Sequence, residues 1–213
     1  VGSEMCIRDR SEMSQLVQRL QKQSAVIPRS VFSHLVGSDA ERFDAFTRRQ
    51  IETFEAASAT LQEGFKHKII RHICNTAGIE RYPGAQFDMV RLGIGLYGVN
   101  PFTNKMLHNV TTLKTTILQI HEVPADETVG YSRKGILTRD SRIAAIPIGY
   151  ADGLNRHLGN GHAYCLVNGQ KAPYVGNICM DVCMIDVTDI DCKEGDKAII
   201  FGDALPVTVL SDI

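Results

Sequence analysis

The strongest constraint on this chain is a change of pattern near Val110, because one hydrophobic period governs the residues before it and another those after it. Helices repeat their apolar positions every three or four residues and strands every second one. A chain that changes period once, near its middle, is expected to hold two different folds. In the first half, Met13, Leu16, Val17 and Leu20 recur at helical spacing, and Val31-Phe32 leads into Ser33-His34-Leu35 as a strand. Ser38-Asp39 with Glu41 opens a second helix, carried by Phe43, Phe46, Ile51, Phe54 and Leu61 and stopped at Gly64. A strand over 69–74 ends in Asn75-Thr76-Ala77-Gly78, and another is expected over 89–96. Alternating helix and strand, with polar and glycine residues clustered just after each strand, predicts a parallel α/β architecture whose site lies at the strands' C-terminal ends.

Beyond Val110 the segments 115–123, 141–148, 162–167 and 197–201 are short, β-branched and separated by turn signals. Asn168-Gly169 between apolar residues reads as a type I′ hairpin. An all-β unit over 109–213 is therefore expected after an α/β unit over 11–108, with a linker near 101–109. Residues 1–10 show no period and read as a junction outside either unit.

Inside the expected strand 89–96 stands a charge. Arg91 follows Met89 and Val90, and a buried unpaired charge costs several kcal/mol, roughly, so Arg91 must find an acceptor or reach a rim. Gly93 and Gly95 remove side chains where something approaches the main chain closely. Gly93, Gly95 and Gly98 also spell the spacing of a dinucleotide fingerprint. That motif requires a helix starting within it, whereas Gly98-Val99-Asn100-Pro101 reads as a loop. Two readings stay open on the residues alone: a purely structural glycine bend, and a cation with bare amides serving a phosphate-bearing ligand at the mouth of a barrel.

Composition narrows the field. A formal net charge of -1 in 213 residues, without basic runs interleaved with aromatics, speaks against nucleic acid. No apolar stretch approaches the roughly 18 residues of a spanning helix, and no signal-peptide core opens the chain, so no membrane and a cytoplasmic location are expected. Six cysteines are too irregular for a disulfide scaffold. Cys179 and Cys183 lie in a strand-like run over 178–185, which would part them by about 13 Å, so no metal site is expected.

Five ordered strings converge on one family: Asn75-Thr-Ala-Gly-Ile79, Phe87-Asp-Met-Val-Arg-Leu-Gly-Ile-Gly-Leu-Tyr-Gly98, Val129-Gly-Tyr131, Ile146-Pro-Ile-Gly-Tyr-Ala-Asp-Gly153 and Val175-Gly-Asn-Ile-Cys-Met-Asp181. From about residue 13 onward the chain resembles the C-terminal part of alanine racemases. The resemblance implies the last strands and helices of a (β/α)8 barrel that holds pyridoxal 5′-phosphate, then a C-terminal antiparallel β domain. It also implies interconversion of L- and D-alanine by two bases, supplying D-alanine for peptidoglycan.

Residue by residue, the resemblance implies that Thr76 offers its hydroxyl to the cofactor phosphate, with the amides of Gly93 and Ile94 beside it. Arg91 would donate to the pyridine nitrogen. An arginine does not readily give up a proton, which leaves that nitrogen unprotonated and the ring a weaker electron sink. Tyr131 would be the phenolic base on one face of the substrate, acting in the partner subunit's site of a head-to-tail homodimer. The main-chain amide of Met180 would bind the substrate carboxylate, with Asp181 supporting it. Tyr150, Arg156 and Asn177 would line the access corridor, Asn177 standing where the family often has arginine. His34 reads as a structural histidine or a barrel-mouth residue. No segment resembles the region of the family's cofactor-binding lysine, so the 213 residues are expected to be a fragment. By themselves they would behave as a non-catalytic cofactor-binding or dimerisation module.

Overall fold

The computed structural model describes residues 12–103 and 105–213, so the expectation for residues 1–10 falls outside it. The chain forms two compact units that divide between Leu107 and His108. In the first, α1 (Met13–Gln21) precedes β1 (Ser30–Phe32), then α2 (Asp44–Glu63), β2 (Ile70–His72) and α3 (Thr76–Arg81). β1 and β2 pair in parallel, Val31 opposite Arg71, and α2 makes the crossover that parallel pairing requires. Leu35, Phe54, Ile73, Cys74, Tyr82 and Ala85 form the core of this unit.

Glycine at position 64 ends α2 for an unexpected reason. Its φ of -72° is right-handed, so no left-handed cap is needed. A side chain there would collide with Val17 of α1, so close approach of the two helices is what demands glycine. Ser38 likewise opens no helix. Its hydroxyl donates to Asn75 Oδ1 at 2.9 Å, and α2 starts behind a 3-10 turn over Glu41–Phe43 that lacks a side-chain cap.

The expected strand 89–96 is not a strand. Its first part runs beside β2, with the Asp88 amide donating to Arg71 O at 3.1 Å and the Arg91 amide to Cys74 O at 3.0 Å. At Gly93, ψ of -103° turns the backbone out of extended geometry, and a 3-10 helix over Ile94–Tyr97 follows, ended by left-handed Gly98. A short 3-10 helix therefore does begin inside the glycine motif, at Ile94, while Gly98-Val99-Asn100-Pro101 is the non-helical stretch expected. Nor are residues 101–109 a free linker throughout. The Asn100 amide donates to Lys105 O and the Leu107 amide to Gly98 O, which folds this stretch back onto the first unit.

The second unit is antiparallel. Its strands are β3 (Leu113–Thr116), β4 (Gln119–Val123), β5 (Thr128–Val129), β6 (Gly135–Ile136), β7 (Ser141–Ile146), β8 (Tyr164–Val167), β9 (Gln170–Val175), β10 (Cys183–Asp186) and β11 (Lys197–Phe201), before α4 (Val207–Ser211). Seven of them form one sheet in the order β3-β11-β8-β9-β10-β7-β4, and β5 pairs with β6 apart. β3 and β4 sit at opposite ends of that order, yet only Ile117 and Leu118 separate them. The Ile117 amide donates to Asp196 O at 2.8 Å on the β11 side, and the Leu118 amide to Ala145 O at 2.9 Å on β7. Two adjacent residues thus bond to opposite edges, so the sheet curls round until one bent segment joins them. Curling encloses a core of Ile146, Tyr174, Ile178, Ile185 and Ile200. Asn168 and Gly169, with φ of 48° and 78°, make the left-handed pair that a type I′ turn between β8 and β9 needs.

Cys179 and Cys183 do not share a strand. The Cys179 amide donates to Val182 O, so Met180 and Asp181 form a turn and Cys183 alone begins β10. Burial drives the Cys183 thiol well above its ordinary range, with Cys165 and Cys179 adding to the rise, and both Cys179 and Cys183 are free thiols.

Tyr174 supplies a test of the core. Its ring is 1% exposed and its hydroxyl has no hydrogen-bond partner among the described residues. Burying an unsatisfied hydroxyl is costly, so Tyr174→Phe should raise stability by about 1 kcal/mol. Urea unfolding of the two proteins checks this, and a lower midpoint for Tyr174→Phe would reveal an unseen partner for the hydroxyl.

Candidate functional site

Two constellations emerge, one in each unit. In the first, the ends of β1 and β2 converge on Arg91. One terminal nitrogen, Nη1, donates to His72 Nδ1 at 2.5 Å and to His72 O at 3.2 Å. The other, Nη2, donates to Ser33 O at 2.6 Å and lies 3.3 Å from His34 Nδ1. All four terminal hydrogens of the guanidinium therefore have acceptors, and only the Nε–H stays available. Phe32 stacks on the His72 ring at 5.4 Å, and the guanidinium lies 5.3 Å from the Phe32 ring centre.

His72 went unmarked in the sequence, where it reads as one polar residue of an ordinary strand. It is buried, and accepting at Nδ1 requires the neutral ring with its proton on Nε2. Burial and then the charge of Arg91 push its pKa below the ordinary histidine range. Desolvation also lowers that of Arg91, but an arginine keeps its charge at any physiological pH. His34, read as either structural or functional, sits half-buried against the same guanidinium. Cys74 lies beneath, its thiol pushed up by burial and donating to Ala85 O at 3.2 Å.

Thr76 opens α3 behind Asn75, whose side chain accepts from the Gly78 amide at 3.0 Å. The Thr76 hydroxyl oxygen accepts from the amides of Gly93 at 3.0 Å and Gly95 at 3.2 Å. With both lone pairs engaged, its own proton has no acceptor among the described residues. The Ile94 amide has none either, whereas the Gly93 amide, expected to face a ligand, is turned to Thr76. A side chain at Gly95 would strike Leu92 and Thr76, but one at Gly93 would meet only the Thr76 hydroxyl, at 3.8 Å. The backbone at Gly93 is thus open to a close ligand. A hydroxyl and an amide that both lack acceptors beside an open glycine suit a phosphate, and a lone Nε–H suits a ring nitrogen. These residues fit pyridoxal phosphate.

In the second unit, Tyr131 stands between β5 and β6 with its side chain 71% exposed. The Tyr131 carbonyl accepts from Asn177 Nδ2 at 3.1 Å. Tyr150 and Met180 meet through main chain: the Tyr150 amide donates to Cys179 O at 2.9 Å and the Ala151 amide to Met180 O at 3.0 Å. Asp152 secures that turn by accepting from the Gly149 amide at 2.9 Å, and any side chain at Gly149 would run into the Cys179 and Met180 carbonyls. The Arg156 guanidinium lies 5.6 Å from the Tyr150 ring centre. The Cys179 thiol donates to Asn177 O at 3.6 Å, which joins Tyr131 and Asn177 to the Tyr150, Met180 and Arg156 group. Asp181 is exposed, and its carboxylate has no hydrogen-bond partner among the described residues, so the support expected from it is not seen.

Known proteins match both units. Residues 7–101 match the profile described as alanine racemase, N-terminal domain, and residues 110–212 that of alanine racemase, C-terminal domain. Alanine racemase 2 of Caldanaerobacter subterraneus subsp. tengcongensis is 40% identical over 192 residues, which is 88% of this chain and 49% of that protein. The alanine racemase of Mycobacterium bovis is 36% identical, over 84% of this chain and 48% of its own. Among solved structures, a Clostridium difficile alanine racemase in complex with cycloserine aligns with a TM-score of 0.70 and 32% identity, covering 93% of this chain and 54% of that one. A Bartonella henselae alanine racemase with covalently bound pyridoxal phosphate aligns at 0.64 and 32%, over 96% and 56%. The chain spans about half the length of the relatives it matches.

Because His72 is depressed, the sign of its pH dependence is fixed. Above about pH 6.5 folded and unfolded chains both hold it neutral, and below that value only the unfolded chain takes up the proton. This histidine should therefore lower stability as pH falls from about 7.5 to about 5.5. Comparing urea midpoints of the parent and His72→Gln across that range checks it, with the flatter profile expected for His72→Gln. Identical slopes would mean that His72 titrates as freely in the fold as out of it.

Proposed function

The chain belongs to the alanine racemase family, and from that premise we propose that it supplies the later barrel elements and the β domain of a pyridoxal phosphate-dependent enzyme that interconverts L- and D-alanine. The observation that carries this reading is Arg91, a guanidinium fixed by two imidazole nitrogens and two carbonyls with a single N–H left over. A group held so firmly with one hydrogen to spare is built to meet one acceptor. Two related structures support the chemistry: the Bartonella henselae enzyme carries covalently bound pyridoxal phosphate, and a Bacillus anthracis alanine racemase contains bound L-Ala-P.

When bound, the cofactor would supply an electron sink that acidifies the α-hydrogen of an attached amino acid. The chain's own residues bind, orient and move protons. Thr76 Oγ1–H and the Ile94 amide would donate to the phosphate, while the Gly93 amide, spent on Thr76 Oγ1, holds that hydroxyl in place. Arg91 donates through Nε to the ring nitrogen. Because Arg91 does not give up its proton, it would leave that nitrogen unprotonated and the ring a weaker electron sink. His72 and His34, both accepting, keep the guanidinium in plane. The Met180 amide receives the substrate carboxylate, with Asp181 following it in the same turn, and Tyr150, Arg156 and Asn177 line the approach. Tyr131 exchanges the α-proton through its phenolic oxygen on one face, opposite a lysine on the other. Each Tyr131 serves the site of its partner in a head-to-tail homodimer. The product, D-alanine, would go to peptidoglycan from a cytoplasmic enzyme. No helix among the described residues is long and apolar enough to cross a membrane.

For the 213 residues by themselves we favour a second reading, a cofactor-binding or dimerisation module without turnover. β1 and β2 form only a two-stranded sheet, and Phe32 and Ile70 on it are 60% and 40% exposed, so this unit leaves apolar surface uncovered. Treating the chain with pyridoxal phosphate and borohydride should leave no stoichiometric adduct. Covalent retention on one lysine would overturn this second reading.

In the full-length enzyme, Tyr131→Phe should slow racemisation by about 10²–10⁴-fold while cofactor affinity holds, since only the phenolic proton carrier is lost. Turnover of α-deuterated alanine from each enantiomer measures this, and unaltered rates in both directions would remove Tyr131 from the reaction. The dimer assignment makes a separate prediction. A subunit lacking the cofactor-binding lysine, paired with one carrying Tyr131→Phe, concentrates both lesions in one site and leaves the other whole. Two inactive homodimers should then yield a heterodimer with about half the normal activity. A dead heterodimer would place Tyr131 in its own subunit's site.

A further inference from the structure

The hairpin that carries Tyr131 is poorly held by itself. β5 and β6 have two residues each, and in the loop between them the residues on both sides of Tyr131 take positive φ: Gly130 at 79°, Ser132 at 59° and Arg133 at 53°. Non-glycine residues pay for such angles and keep them only where surrounding contacts impose them. Within the hairpin the contacts are few, chiefly the Arg133 amide on Gly130 O at 3.3 Å and Arg133 Nε on Thr128 Oγ1 at 3.0 Å. The phenol is largely exposed, so its position follows from that of its main chain.

One hydrogen bond from outside the hairpin reaches that main chain among the described residues, and it comes from Asn177 Nδ2 to Tyr131 O, 3.1 Å long. Asn177 is itself braced. Its Oδ1 accepts from Asn160 Nδ2 at 3.1 Å, and the Asn160 amide donates to Gly176 O at 2.8 Å. The base of the hairpin rests against Gly176, where any side chain would strike Val129 O, and a side chain at Gly135 would strike Gly176 N. The Asn177 amide is therefore a two-ended brace, with its oxygen on Asn160 and its nitrogen on the strained loop.

We propose that Asn177 is a positioning residue for Tyr131, fixing the phenol through its carbonyl and not through its ring. This rests on the reading of Tyr131 as the proton-exchanging group. A base must be held within a fraction of an ångström of the proton it takes, so slack in this loop should appear in the chemical step and not in binding.

Asn177→Asp separates the two ends of the brace. The carboxylate keeps the acceptor for Asn160 and nearly the same volume, but replaces the donor facing Tyr131 O with a repelling oxygen. In the 213-residue chain, native-state trypsin cleavage after Arg133 or Lys134 should accelerate about tenfold while the urea midpoint stays put. In the full-length holoenzyme, kcat should fall about tenfold with KM within about twofold. The α-deuterium isotope effect should grow in the one direction in which Tyr131 takes the proton. Adding Asn177→Asp to Tyr131→Phe should cost nothing further, since a phenol that is absent needs no positioning. Asn160→Ala, which removes the brace but keeps the donor, should give smaller changes of the same kind and serves as the test should Asn177→Asp lower the urea midpoint. Unchanged proteolysis and kcat in Asn177→Asp, with Tyr131→Phe still inactive, would overturn this inference and leave the proposed function standing. Full activity in Tyr131→Phe would overturn the proposed function. Additive losses in the double variant would show that Asn177 acts elsewhere.

Discussion

The first unit depends on the guanidinium of Arg91. Its acceptors come from two places, Ser33 and His34 just past β1 and His72 at the end of β2, so it ties both strands to the run after Asp88 that carries it. Parallel strands this short share few ladder bonds, so the far ends of β1 and β2 would splay without something to gather them. A half-buried cation whose terminal hydrogens all meet acceptors does so, since leaving it unpaired there would be costly. The same bonds that anchor the strands consume all but one of the donors, so one set of contacts sets both the architecture and the chemistry available at its mouth.

The second unit solves a different problem. An antiparallel sheet of seven strands would leave two edges open, and curling it until Ile117 bonds to one side and Leu118 to the other turns those edges into neighbours. Ile117 is buried at the join, packed in the same core as Ile146 and Tyr174. Because that core holds the sheet, its end loops are free to take costly conformations. The Tyr131 hairpin, the turn held by Asp152 and the Met180 turn all lie outside the ladder.

What was legible in the sequence was whatever depends on short-range repetition. The helix over Asp44–Glu63, the type I′ turn at Asn168-Gly169 and the change of fold near Val110 follow from spacings within a dozen residues. Breaks inside apolar runs were not legible. Residues 89–96 keep a strand's composition past the point where Gly93 turns the backbone, and residues 115–123 look continuous although the chain changes edges at Ile117. Glycine was legible as a position and not as a reason, since Gly64 is needed for the passage of Val17 and not for its torsion. At the site, the motifs marked Arg91, Thr76 and Tyr131, but their partners lie far away in sequence. His72 stands 19 residues before Arg91, and Asn177 46 after Tyr131. No local pattern encodes such pairs.

The two constellations hold their central groups in opposite ways, and the difference follows from what each must do. Arg91 is sunk among acceptors and fixed directly by its side chain, which suits a group whose protonation must never change: a neutral His72 accepts from it, and burial keeps that histidine neutral. Tyr131 is exposed and fixed only through its carbonyl, with its phenol left unencumbered. A group that gains and loses a proton, the role proposed for Tyr131, is hindered by any strong side-chain hydrogen bond, because such a bond favours one protonation state over the other. Holding the backbone and freeing the oxygen gives position without biasing the proton. On the proposed role, the lack of a side-chain partner at Tyr131 among the described residues is no slackness in the site, and the strained loop beneath it is the cost of placing a phenol without touching it.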